Sequence, residues 1–366
     1  MQPFLYVRGL KAVSHTVFGV SAGQKTYYDP QFGRSVPYSS GQQVKRSVLE
    51  VLLGNLGLAP APVTFLSNLD AKGKLGEGEP WSACDPRYPD QLLGGWMKAQ
   101  KGGKDGEAQS RTLKRRSPLS ISALHALHPL LASVNKEDVT FDRSDRPDQH
   151  RVIVRDANGK ELSPDQISTL LQGTDRSLLR KWIPENTRAT GLFIYDIAID
   201  LRTLFCVALS ETEPEITAAT RELLKGEGWQ ESENAFGRCL VCPAEQREKL
   251  IPALAQAVLE WRVLTNQSRT FSPMETLAVA ITDNASVLSS AIRAKLVPES
   301  EGSDRPKARP IVERVAGAEV YITPGAAQYI FTEEERATAL ADAHAELVRR
   351  LSAFDYDHQA VPMRLI

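Results

Sequence analysis

Residues 190–209, TGLFIYDIAIDLRTLFCVAL, are aromatic or β-branched almost throughout. Side chains of that kind pack best on a pleated surface, so this stretch is expected as a strand at the centre of the core. Three further stretches frame it. Residues 4–20 are β-rich with partial alternation, and METLAVAITD (274–283) reads as another buried strand. Residues 42–53 carry Val44, Val48, Leu49 and Leu52 at the spacing of an amphipathic helix, with Gly54 as its expected end. Helices are also expected over 214–226, 243–263 and 333–352. The second has Pro243 near its first turn, Pro252 inside it, and an apolar face through Leu250, Leu254, Ala257 and Leu259. Strands outnumber simple βαβ repeats, so the class is α+β.

Other segments are less regular. From residue 57 to about 116, Pro, Gly, Ser and charged residues dominate, and an extended excursion is expected. Residues 119–134 are apolar but interrupted by Pro129, which allows a short helix or a strand and a turn. In HRVIVRDANGKEL (150–162) a β-branched run meets Asn158-Gly159, a strong hairpin signal, and a protruding hairpin is expected. Residues 298–310 read as a loop or linker.

The chain of 366 residues, 42% hydrophobic and 24% charged, can bury a sizeable core in one domain with insertions or in two. A net charge of −1 argues against a generic polybasic binder, yet it leaves room for a local basic groove. Four cysteines in a chain this long do not make a disulfide framework, which fits a reducing cytoplasm. The first residues carry only a short apolar run, and no segment reaches transmembrane length, so a soluble intracellular protein is expected.

The stretch most suggestive of function is residues 23–46, GQKTYYDPQFGRSVPYSSGQQVKR. A helix starting near Ser39 or Ser40 has a hydroxyl cap, and the free amides of its first turn face the preceding loop. Lys25 and Arg34 on the loop, with Lys45 and Arg46 on the first turns, surround that point with cations, and Asp29 is the one acidic residue of the stretch. A polyanion suits such a place. A solvated helix start is the alternative. The pattern is not a mononucleotide P-loop, because Gln24 separates Gly23 from Lys25, and no dinucleotide fingerprint is present.

The order strand, Gly/Lys loop, then Pro37-Tyr38-Ser39-Ser40-Gly41-Gln42-x-x-Lys45-Arg46 resembles the DevR-type backbone subunit of type I-B CRISPR interference complexes, in the Cas-seven group of the RAMP superfamily. Residues 191–200 look like that family's second core strand, and Phe271-Ser-Pro-Met-Glu275 like the approach to its last. The likeness spans roughly residues 1–55, 187–285 and, more loosely, 114–122; Ser14-His15 stand where the family often carries Asn and basic residues. The resemblance implies a ferredoxin-like, RRM-type palm, here 1–56 with 187–366, and finger and thumb insertions within 57–186. It implies polymerisation along a CRISPR RNA, recognition of target DNA through that guide, contact with other copies and other Cascade subunits, and no catalytic role, cofactor or metal.

On that reading Lys45 and Arg46 are the leading phosphate contacts, followed by Lys25 and Arg34. Ser40 and Gln42 are candidates for hydrogen bonds to ribose or phosphate, and Tyr38 for stacking. Lys98, Lys101, Lys104, Arg111, Lys114, Arg115 and Arg116 form the densest basic tract, a candidate contact for guide or displaced DNA. Arg151, Arg155 and Lys160 flank the expected hairpin, a thumb or finger candidate. Cys239 and Cys242, without two further ligands at matching spacing, read as core thiols, and His125 and His128 as ordinary histidines. Two rival functions are an RNA-cleaving backbone subunit of a type III-like effector, using Asp29, and an unrelated metabolic enzyme; no esterase elbow, zinc motif or carboxylate pair supports the second.

Overall fold

The computed structural model describes residues 2–19, 24–76, 78–98, 112–264, 271–298 and 306–359. Its centre is a nine-stranded antiparallel sheet made of β1 (Phe4–Thr16), β2 (Thr26–Asp29), β3 (Arg34–Ser39), β4 (Leu119–Ile121), β5 (Leu124–Ala126), β6 (Ala132–Asp142), β7 (Arg180–Asp200), β8 (Glu275–Thr282) and β9 (Ala318–Ile322). The path across it is β9-β8-β1-β7-β5-β3-β2, with β4 and β6 also paired to β7. The run expected at the centre of the core is there: β7 lies beside β1, from Phe4↔Asp200 to Thr16↔Ala189.

Alternation along these strands assigns the two faces. Leu5, Val7 and Val13 of β1, with Phe193, Tyr195, Ile197 and Ile199 of β7, pack under three helices: α1 (Gly41–Leu56), α2 (Ala244–Glu260) and α3 (Ala339–Ser352). The α2 face foreseen from the sequence, Leu250, Leu254, Ala257 and Leu259, is buried. Leu10, Leu192, Ile194 and Leu277 point the other way, under the short helix Ala285–Ala291 and the hairpin Ile292–Val297/Lys307–Val312. At Gly9 a side chain would collide with the Tyr195 ring, which crosses the strand to donate its hydroxyl to Val258 O at 2.8 Å and to meet Trp261 edge-on.

Lys11 is 1% exposed on the helix side. Its ammonium donates to Met274 O at 3.2 Å and Thr276 Oγ1 at 2.9 Å, and lies 5.0 Å from the Trp261 ring. Burial, helped by the nearby Arg262 charge, lowers its pKa to about 7.

Several expectations are corrected. The first helix does not stop at Gly54: it runs to Leu56, and the left-handed turn that ends it falls at Gly57 (φ 65). The span 57–186 is not wholly an insertion, since β4, β5 and β6 lie within it and pair with β7. No strand ladder forms around Asn158-Gly159. The chain does turn back there, but only one bridge forms, Arg155↔Glu161, flanked by Leu162 N to Val154 O (2.8 Å) and Asp156 N to Lys160 O (2.9 Å), with Asp156 Oδ1 accepting the amides of Asn158 and Lys160 and with Val152 and Ile153 exposed. The end of the expected linker, residues 307–310, belongs to the strand Lys307–Val312. The excursion after α1 holds two short hairpins, Thr64–Leu66 with Glu79–Trp81 and Trp96–Lys98 with Leu113–Arg115, and a short helix Pro89–Gly94.

Beyond Ala189, β7 loses β1 and keeps only β6, so Asn135↔Arg188 to Asp142↔Arg180 form a two-stranded arm. Phe141 and Trp182 are exposed on it, Arg143 lies 4.6 Å over the Phe141 ring, and Arg180 pairs with Asp142 at 2.7 Å.

Candidate RNA interface

The loop and helix singled out in the sequence meet at one edge of the sheet. β2 and β3 form a hairpin from Thr26↔Pro37 to Asp29↔Arg34, and β3 pairs with β5 through Tyr38↔His125 and Ser39↔Leu124. That pairing delivers the chain into α1. Ser40, in extended conformation (ψ 150), accepts the amide of Gln43 as the cap of the helix, and no acidic residue occupies the first turn. The amides there and the helix dipole leave a place suited to an anion.

Gln42, Lys45 and Arg46 follow at i, i+3 and i+4, so they share one face of α1. Gln42 and Arg46 are exposed, and Arg46 pairs with Glu50 at 2.7 Å. Lys45 is half-buried, donates to Gly94 O at 3.4 Å, and has its pKa lowered by burial. Lys25 is exposed and its carbonyl accepts the amide of Tyr38, so loop and helix start are joined directly. Tyr38 is half-buried with its ring 6.0 Å from that of Tyr27, edge to face. Burial, with Asp29 nearby, raises the pKa of Tyr27. Gly23 lies outside the described residues.

Arg34 is not brought to this group. It stands at the opposite end of β3 and donates to Ala132 O at 2.9 Å, at the root of the arm. Asp29, the residue on which cleavage would depend, accepts the amide of Phe32 at 2.9 Å and so holds the β2–β3 turn.

The second basic tract divides. Lys114 and Arg116 are exposed, but Arg115 is 4% exposed, which removes it from any nucleic-acid contact. Strand alternation turns it inward, where it donates to the carbonyls of Leu92, Thr203 and Cys206 and lies 5.5 Å from the Trp96 ring. Lys98 sits 5.3 Å over the Trp81 ring. Lys101, Lys104 and Arg111 lie outside the described residues. Arg151 and Arg155 are exposed at the far end of the arm, both close to Glu161 (3.5 and 3.8 Å). They are remote in sequence and pairing from α1.

Sequence reasoning missed a polar cluster at the root of the arm. His15 adopts a left-handed conformation (φ 47), its amide donates to Thr190 Oγ1 at 3.2 Å, and Asn135 donates to the same hydroxyl. The registers of β1 and of β6 on β7 bring these residues together, although Ser14-His15 had marked the spot. Cys206, Cys239 and Cys242 are buried thiols. His125 and His128 bond to neighbouring backbone. Among the described residues no group of three or more His, Cys, Asp or Glu side chains is placed to hold a metal ion, and no helix is long and apolar enough to cross a membrane.

No family model matches this sequence, and no curated protein does so either. Among solved structures, a chain of a "CRISPR RNA-guided surveillance complex" is similar with a TM-score of 0.37 and 10% identity, over 95% of this chain and 83% of that one. A chain of a "CRISPR RNA-guided surveillance complex, pre-nicking" is similar with a TM-score of 0.42 and 10% identity, over 98% and 96%. Neither likeness assigns a role to any residue of this chain.

Proposed function

We propose that this chain is a non-catalytic RNA-binding subunit of a CRISPR surveillance complex, repeated along a guide RNA whose backbone it grips at the start of α1. The observation that carries the reading is the joining, at one sheet edge, of the Tyr38–Gln42 turn, a hydroxyl-capped helix free of acid in its first turn, and the cations Lys25, Lys45 and Arg46. Tyr38 to Gln42, Lys45 and Arg46 are among the positions on which the sequence resembles the DevR-type backbone subunits, as is Arg34, which stands apart from this group. Phosphate contacts of this kind position a strand without reading its sequence, so one repeated unit accepts any guide.

The strand order supports a ferredoxin-like palm. Taking β1, β4/β5, β7 and β8 as first to fourth, they stand side by side as fourth, first, third, second, with α1 after the first and α2 after the third on one face. On this reading the β6–β7 arm is the thumb, offering Phe141 and Trp182 to a neighbouring copy, and the lobe after α1 is a finger. Partners are then the guide, target DNA through it, further copies and other subunits. Asp29 has a structural task, which favours binding over cleavage.

The test is the salt dependence of affinity for a single-stranded RNA oligomer. Replacing Lys25, Lys45 and Arg46 together by Ala should weaken binding and flatten the slope of log affinity against log salt by about 0.7 per lost contact. An unchanged slope would remove α1 as the phosphate site.

A further inference from the structure

On the face of the sheet away from α1 and α2, a cleft of about 380 Å³ opens between the strands and the helix Ala285–Ala291, lined by Tyr6, Arg8, Ser120, Ser122, Asp196 and Leu288. From β1, Tyr6 and Arg8 line it, and a row of flat groups runs on from Tyr6 beyond the cleft. Phe4 and Tyr6, two residues apart on this face, stack at 5.9 Å with 23° between their rings. The row continues past Phe4, where the Arg202 guanidinium lies between the rings of Phe4 (4.9 Å) and Phe236 (4.8 Å), the latter 63% exposed.

The charges in this row are already neutralised. Arg8 holds Asp196 through Nε (2.7 Å) and Nη2 (2.9 Å), and Arg202 holds Asp200 the same way at 2.9 Å. A surface of planar groups with paired charges favours a neutral planar ring over a phosphate. Hydrogen-bonding capacity remains at the rim. Three of the five Arg8 N–H donors are used, by Asp196 and by Ile292 O, leaving two, and the Asp196 carboxylate keeps acceptor positions. A ring stacked there meets both donors and acceptors.

The cleft also adjoins the phosphate site. Gly41, the first residue of α1, packs so closely on Ile121 and Ser122 that a Cβ would stand 2.7 Å from Ile121 O, and Ser122 is a wall of the cleft. We propose that the cleft receives an unpaired base of the single-stranded RNA whose phosphate lies at the start of α1, with Tyr6 as the stacking face. This rests on the RNA-binding reading and extends it from backbone to base.

The test compares binding of the full chain to a 12-nucleotide uridine oligomer and to an abasic ribose-phosphate oligomer of the same length. The uridine oligomer should bind about tenfold more tightly. Tyr6→Leu, which keeps apolar bulk on the sheet, should abolish that preference and leave abasic binding unchanged, while Tyr6→Phe should retain it. Should Tyr6→Leu not fold, 4-thiouridine crosslinking of the natural chain decides: crosslinks within Phe4–Arg8 support the cleft, and crosslinks confined to α1 overturn it. Salt-dependent binding without base preference, or a preference that Tyr6→Leu leaves intact, sinks this proposal alone. Failure to bind either oligomer sinks the RNA-binding reading with it. An RNA-free dimer abolished by Tyr6→Leu would assign the face to a second copy and overturn the base site.

Discussion

Two basic pairs of this chain, Lys45-Arg46 and Lys114-Arg115, look alike in sequence and end differently in the fold. On α1 the spacing Gln42, Lys45, Arg46 follows the helix period, and beside an amide-rich cap Arg46 stays exposed while Lys45 is half-buried. On the strand Leu113–Arg115 the period is two, so Lys114 points to solvent while Arg115 enters the core and ties three carbonyls together. Local charge density alone distinguishes neither case. Periodicity, and what lies beneath the element, decides whether a cation recognises a ligand or holds the fold.

Removal of Arg115 should have the largest effect. Arg115→Ala leaves the carbonyls of Leu92, Thr203 and Cys206 without donors, and urea unfolding should show a loss of about 3 kcal/mol or more. Arg115→Lys should recover little, since an ammonium lacks the planar fork. A loss below about 0.5 kcal/mol would mean that the residue is not structural.

Lys11 extends the same contrast to a cation outside both pairs. Its folded pKa of about 7 is below the ordinary 10.5, so the unfolded chain binds more protons between these values. Stability should therefore rise with pH across that window, by up to about 1.4 kcal/mol per unit, and this gain is lost as pH falls towards 7. Lys11→Met should flatten the dependence in denaturation measured from pH 7 to 10. An identical slope in the variant would place the ammonium in water.

At the α1 end the effects are smaller. Ser40→Ala should cost about 1 kcal/mol through loss of the helix cap. Glu50→Gln frees Arg46 from its surface partner, changes stability by less than about 0.5 kcal/mol, and should raise RNA affinity two- to threefold at low salt, roughly the worth of one exposed pair. Smallest of all, Lys114→Ala and Arg116→Ala should each alter stability by less than about 0.5 kcal/mol, in contrast to their neighbour.

How far the sequence spoke depended on whether a signal was local. The apolar run of β7, the alternation of β1, and the stripes of α1 and α2 all survive, because burial of those faces is written in periodicity. The polar first half of β7, from Arg180, was invisible: it contains Pro184 and is a strand only because β6 pairs with it. Asn158-Gly159 turned the chain as its chemistry demands, yet pairing stops at the one bridge Arg155↔Glu161, so no strand ladder follows. At the candidate site the cap and the α1 cations were legible, whereas the separation of Arg34 from Lys45 and the inward turn of Arg115 depend on strand pairing. Tyr6, Ser122 and Asp196 meet only through pairing across the sheet.

Assembly along a guide is tested by the mass of the purified chain in solution with guide RNAs of increasing length, read with nuclease protection of the bound strand. A subunit that grips the guide backbone should give an assembly that gains copies in steps as the RNA lengthens, protects it throughout, and is lost when Lys25, Lys45 and Arg46 are replaced by Ala. A chain whose mass is unchanged by RNA of any length, and which leaves that RNA open to nuclease, would contradict it.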